Sequence, residues 1–167
     1  VYSRAFAGFY PKEIAGLVFI DPADFTESKQ EWNQIFRNIG VPEKKIDEML
    51  YNRLYQTTRI DSANFGARSE LQVLRDLRRT DFSEINELPV PNVPIYFFIG
   101  GKFEVPPGRR SRDFDQEAFF AERTKVNIER WRKFIYSSAK GGALIYLSNC
   151  GHFVHRDNPE LVVSIIK

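Results

Sequence analysis

Three short apolar runs restrict this chain more than any other feature of its sequence: Gly16-Leu17-Val18-Phe19-Ile20, Ile95-Tyr96-Phe97-Phe98-Ile99 and Ala143-Leu144-Ile145-Tyr146-Leu147. Continuous runs of this length, rich in β-branched and aromatic residues, read as strands buried on both faces of a parallel sheet. Helical periodicity fills the intervals between them, so the predicted class is α/β, with three parallel strands and flanking helices. Crossovers between parallel strands are right-handed, and ligand chemistry is expected outside the carboxyl ends of the strands. The positions of interest are then those just after Ile20, Ile99 and Leu147.

The helical intervals have their own punctuation. Phe6, Phe9 and Tyr10 recur at roughly helical spacing in a segment, Val1 to Tyr10, that Pro11 ends. From residue 26 to about 88 charges are frequent and no strand-like run occurs. Trp32, Ile35, Phe36 and Ile39 follow i, i+3, i+4, i+7 up to a break at Gly40 and Pro42; Ile46, Met49, Leu50 and Leu54 repeat the pattern, and a third helix begins after Phe65-Gly66 with Leu71, Leu74 and Leu77. Such narrow stripes are expected as seams between packed helices, with Trp32, Phe36 and Leu54 as candidate pocket walls. A long helix from Gln116 to Ser138 turns Phe120, Ile128, Trp131 and Ile135 inward, and Gly141-Gly142 breaks it. Asp157 or Asn158 can cap a last helix with Pro159 in its first turn and Leu161, Val162, Ile165 and Ile166 on its buried side.

Composition narrows the function classes. The hydrophobic class makes up 43% of the 167 residues and charged residues 28%, which describes a globular chain able to build a core without metal or disulfide staples. Cys150 is the single cysteine, so no intrachain disulfide forms. A formal charge of +2 is too weak a field to imply nucleic acid or an anionic membrane as partner, and runs such as Arg109-Arg110-Ser111-Arg112 read as solvated faces. No apolar stretch approaches the roughly 20 residues of a membrane span. No targeting segment is visible, which makes a soluble, cytoplasmic protein the default expectation.

The strand ends carry the candidate chemistry. The chain has two histidines. His152 follows Gly151 just past the third strand, where a loop can hold it at the sheet edge; its alternative is a loop histidine bonded to backbone. His155 is expected to pack against the last helix or fix the loop. A carboxylate fixes the tautomer of a neighbouring imidazole and stabilises the imidazolium, so an acid at another strand end would complete an acid–base pair. Asp21 ends a buried strand and needs a partner to stay ionised, or else serves as a turn residue before Pro22. Asp24 lies further into that loop. Glu104, three residues beyond Gly101, is the competing acid, or else a solvated loop residue. No G-x-S-x-G elbow occurs, neither Ser3 nor Ser148 has the flanking glycines, and Cys150 reads as a small buried filler. Two histidines and one cysteine match no metal-ligand spacing, and Gly100-Gly101 lacks the rest of a phosphate-binding loop.

Taken in order, these segments resemble the later part of the α/β-hydrolase fold family. Tyr2-Ser3-Arg4-Ala5-Phe6-Ala7 through Tyr10-Pro11, with Ile14 to Pro22, is similar to the stretch that follows the nucleophile elbow; Ser148-Asn149-Cys150-Gly151-His152-Phe153 with Asp157-Asn158-Pro159-Glu160 resembles the catalytic-histidine loop and closing helix. The resemblance implies a partial α/β-hydrolase fold. Residues 1–24 would be a helix and strand of its core, 25–88 a helical cap, and 89–167 the C-terminal part of the core. It implies His152 as general base and then general acid. The acid is either Glu104, in the family's usual place after the strand at 95–99, or Asp21, in a context some lipase-like members share; Asp21 is favoured because the segment around Glu104 is rich in Pro and basic residues. The nucleophile, the oxyanion-hole loop and five strands of the family's pattern would precede Val1, which makes the chain the C-terminal fragment of a hydrolase lacking its N-terminal half. The implied activity is hydrolysis of a small apolar ester or related acyl compound, without a cofactor. The alternative is a noncatalytic binding or interaction module derived from the same fold.

Overall fold

Leu17–Ile20, Ile95–Gly100 and Gly142–Leu147 form strands β1, β2 and β3 of an open sheet in a computed structural model that describes residues 1–22, 25–56 and 63–166. The strands lie in the order β1-β2-β3, with both neighbouring pairs parallel. Their register aligns Phe19 with Phe97 and Leu144, and Ile20 with Phe98 and Ile145. The chain divides into two compact units, one made of residues 1–24 and 88–167 and the other of residues 25–87.

In the sheet unit, helix α1 (Tyr2–Phe9) precedes β1, α6 (Gln116–Tyr136) lies between β2 and β3, and α7 (Val154–Asp157) and α8 (Pro159–Ile166) follow β3. Side chains alternate across a strand, so each face of β2 meets a different helix. On one face Phe97 stacks on Trp131 of α6 at 4.8 Å between ring centres and on Phe19 at 4.7 Å. On the other, Phe98 packs with Cys150, Val154 and Val162, flanked by Ile20, Ile145 and Leu161. Truncating Phe97 to alanine would open a cavity costing about 3–5 kcal/mol.

Only β2 among these strands matches the expectation of burial on both faces. β1 alternates, with Leu17 and Phe19 buried and Val18 exposed, and β3 is half-buried with Tyr146 exposed. The reason is position: β2 is flanked on both sides by a strand, while β1 and β3 each have one neighbour within the sheet. The turn into β3 requires glycine. Gly141 and Gly142 have φ of +66° and +149°, and a Cβ on Gly142 would lie 1.8 Å from the Ile95 carbonyl oxygen.

α1 also departs from its apolar pattern. Phe6, Phe9 and Tyr10 are exposed, and the buried residues are Arg4, Ala7 and Gly8. Arg4 is buried because its guanidinium donates to the carbonyls of Leu88 and Pro89 and lies over the Phe134 ring. Burial lowers its pKa from the usual arginine value.

The second unit is helical, with α2 (Lys29–Asn38), α3 (Glu43–Tyr55), α4 (Phe65–Arg79) and the short α5 (Ser83–Asn86). A capping box between Ser28 and Glu31 starts α2, and Gly40 at φ +80° turns the chain after it. Trp32, Phe36 and Leu54, expected as pocket walls, are almost fully buried with Ile35 and Ile46, and Trp32 and Leu54 line a small cavity of ≈ 10 Å³ together with Glu27 and Arg53. A guanidinium held over Trp32, that of Arg53, pairs with the buried carboxylate of Glu27. Among the described residues no helix is long and apolar enough to cross a membrane.

Candidate functional site

The carboxyl ends of β1 and β2 and the loop after β3 meet at one rim of the sheet. Asp21 is the first residue past β1, and its N–H donates to the Phe98 carbonyl at 2.7 Å, extending the ladder by one bond. Its φ of 41° lies in the left-handed region, which Asp enters more readily than most residues. The turn directs the carboxylate across the end of β2. Oδ1 accepts from the Gly100 N–H at 3.3 Å, and Oδ2 lies 2.6 Å from Nδ1 of His152.

His152 is held from the other side by a loop with few degrees of freedom. The Cys150 N–H donates to the Leu147 carbonyl at 3.1 Å, the Lys102 N–H to the Cys150 carbonyl at 3.0 Å, and the Gly151 N–H to Asp157 Oδ2 at 2.7 Å. Asp157 thereby ties the loop to α7, while Asn158 accepts from the Leu161 N–H at the start of α8. Gly100 lets this loop approach: a Cβ there would stand 2.1 Å from the Gly151 carbonyl oxygen.

The bond between Asp21 and His152 decides the imidazole's chemistry. An ionised carboxylate only accepts, so Nδ1 carries the proton, and in the neutral ring the lone pair is on Nε2. Such a ring can take a proton at Nε2 while Asp21 stabilises the resulting cation. The imidazole is 67% exposed and the carboxylate 26%, so the acid is covered while the base stays accessible.

Glu104 does not join this pair. Its Oε1 is bonded to Lys102 Nζ at 3.0 Å, which raises the Lys102 pKa. Its Oε2 lies against Gly151, so close that a Cβ there would be 2.0 Å away. Glu104 therefore buttresses the histidine loop without reaching the ring. His155 is exposed on α7, touching Phe153 edge to face rather than packing against α8. Cys150 is buried beside Phe98, and Asp24 lies outside the described residues.

His152 and Asp21 open onto a cleft of ≈ 420 Å³ whose other walls come from the loop after β2 and the first turns of α6. Phe103, Phe114, Phe119 and Phe120 line it; Phe103 contacts Phe120, and Phe114 meets Phe119 edge-on. Lys102 and Arg123 stand among them. Sequence reading missed this cleft. Phe120 was legible as an inward helix residue, but the density of Phe between positions 103 and 120 was the available signal for a shared apolar surface. Comparison with protein-family models, with curated proteins and with solved structures finds no match.

Proposed function

We propose that this chain supplies the histidine and acid of a catalytic triad in an α/β-hydrolase-type enzyme that transfers an acyl group from an ester or related small apolar substrate to water. The observation that carries the reading is the 2.6 Å bond between Asp21 and His152 Nδ1, joining residues 131 positions apart at the carboxyl rim of a parallel sheet. The ordered sequence resemblance supports it, as does the apolar cleft beside the pair.

In this reaction His152 Nε2 accepts the proton of a nucleophilic hydroxyl as its oxygen bonds to the acyl carbon. It then returns that proton to the departing alcohol as the ester bond breaks. A water molecule repeats the cycle on the acyl-enzyme, releasing the carboxylic acid and restoring the hydroxyl. The family's order sets the nucleophile ahead of α1. Asp21 holds the ring in orientation throughout.

The test is hydrolysis of p-nitrophenyl esters by the full-length gene product. His152→Ala is expected to reduce the rate by about 10³-fold or more, with an unchanged circular dichroism spectrum. Full activity in that variant refutes the assignment.

A further inference from the structure

Resting on the hydrolytic reading, a substrate class follows from what else faces the cleft. Four phenylalanine rings give it an apolar lining, with Phe103, Phe114 and Phe120 around the space and Phe119 carrying the guanidinium of Arg123 at 6.0 Å from its ring centre. Two cations stand in the same lining, and they differ. Lys102 is neutralised by Glu104 at 3.0 Å. Arg123 is exposed, and its guanidinium has no hydrogen-bond or ion-pair partner among the described residues. Resting on an aromatic face orients a planar cation while its edge N–H donors remain available. Five donors in a fixed fork match the two oxygens of a carboxylate, and such bidentate, charge-assisted pairs are the strong class of polar contact.

We infer that the cleft takes an anionic acyl compound: an aromatic or similarly bulky apolar body lies between Phe103, Phe114 and Phe120, and a carboxylate pairs with Arg123. The two carboxylates of the same lining have their own partners, Asp21 at His152 and the Gly100 N–H and Glu104 at Lys102, and Arg123 is bonded to neither. An aliphatic ester without a charged group would leave the guanidinium to water. Arg123 is in this sense a binding residue that selects substrates, and the acid–base pair acts on whatever it positions.

The experiment compares 4-phenylbutanoate with its neutral amide, 4-phenylbutanamide, as ligands of the full-length gene product by isothermal titration calorimetry. The carboxylate is expected to bind about tenfold or more tightly than the amide, as a charge-assisted contact implies. Arg123→Gln is expected to abolish that preference, and Arg123→Lys to retain part of it. Phe103→Ala is expected to weaken both probes together. Absence of binding, equal affinity for the two probes, or a preference that survives Arg123→Gln would overturn the inference. The two readings fail separately. Carboxylate-selective binding in a protein whose ester hydrolysis is unaffected by His152→Ala would discard the catalytic reading alone. His152-dependent hydrolysis with no carboxylate preference would discard the anion pocket alone.

Discussion

The loops that leave β1 and β2 each carry a carboxylate toward the same histidine loop, and they deliver it to different places. Asp21 stands next to Ile20, so the rigid end of β1 and the ladder bond to Phe98 dictate where its short side chain points. Glu104 lies four residues past Gly100, on a longer side chain with a lysine beside it, and it settles on Lys102 and against Gly151. The lesson is that reach is a poor guide to function at a strand end. The shorter acid with fewer free torsions makes the bond to the imidazole, and the longer acid supports the loop that carries it.

Four measurements can break or sharpen that comparison. The largest effect is expected from Asp21→Asn, which keeps the shape but misorients the imidazole; p-nitrophenyl ester hydrolysis by the full-length gene product should fall by about 10³–10⁴-fold. A loss of that size in Glu104→Gln instead would exchange the roles of the two acids. Next comes Gly100→Ala, because its new methyl would meet the backbone of Gly151, which cannot rotate aside. A loss of about 3 kcal/mol in urea unfolding is expected. Gly151→Ala meets the movable end of Glu104 rather than backbone, so its cost is expected to be nearer 1 kcal/mol. Adding Glu104→Ala should recover most of it, and strict additivity of the two substitutions would disprove the buttress. The smallest effect belongs to Glu104→Gln, with a rate change of less than about threefold, as expected for an exposed ion pair.

Much of this arrangement was legible in the residues. The apolar runs located the strands, because a middle strand such as β2 must be apolar on both faces, and strand-end logic singled out Asp21, Glu104 and His152, of which the structure joins Asp21 to His152. Other features depend on information a linear pattern does not hold. Val18 reads like its neighbours, yet it is exposed because β1 has one strand neighbour. The exposure of Phe6 and Phe9 follows from Arg4 finding carbonyls some 84 residues away. The Arg123 site combines a loop and a helix face, and it matches no motif.

The span of the Asp21–His152 bond has a consequence for how the protein matures. Its two ends belong to the outer strands, so both crossovers must close and β2 must seat between them before the ring meets its acid. A ribosome-bound or half-assembled chain would hold an unpaired histidine. The Asp21–His152 bond would thus form as one of the final events of folding, and the imidazole's resonance in an NMR refolding experiment would mark the moment of completion.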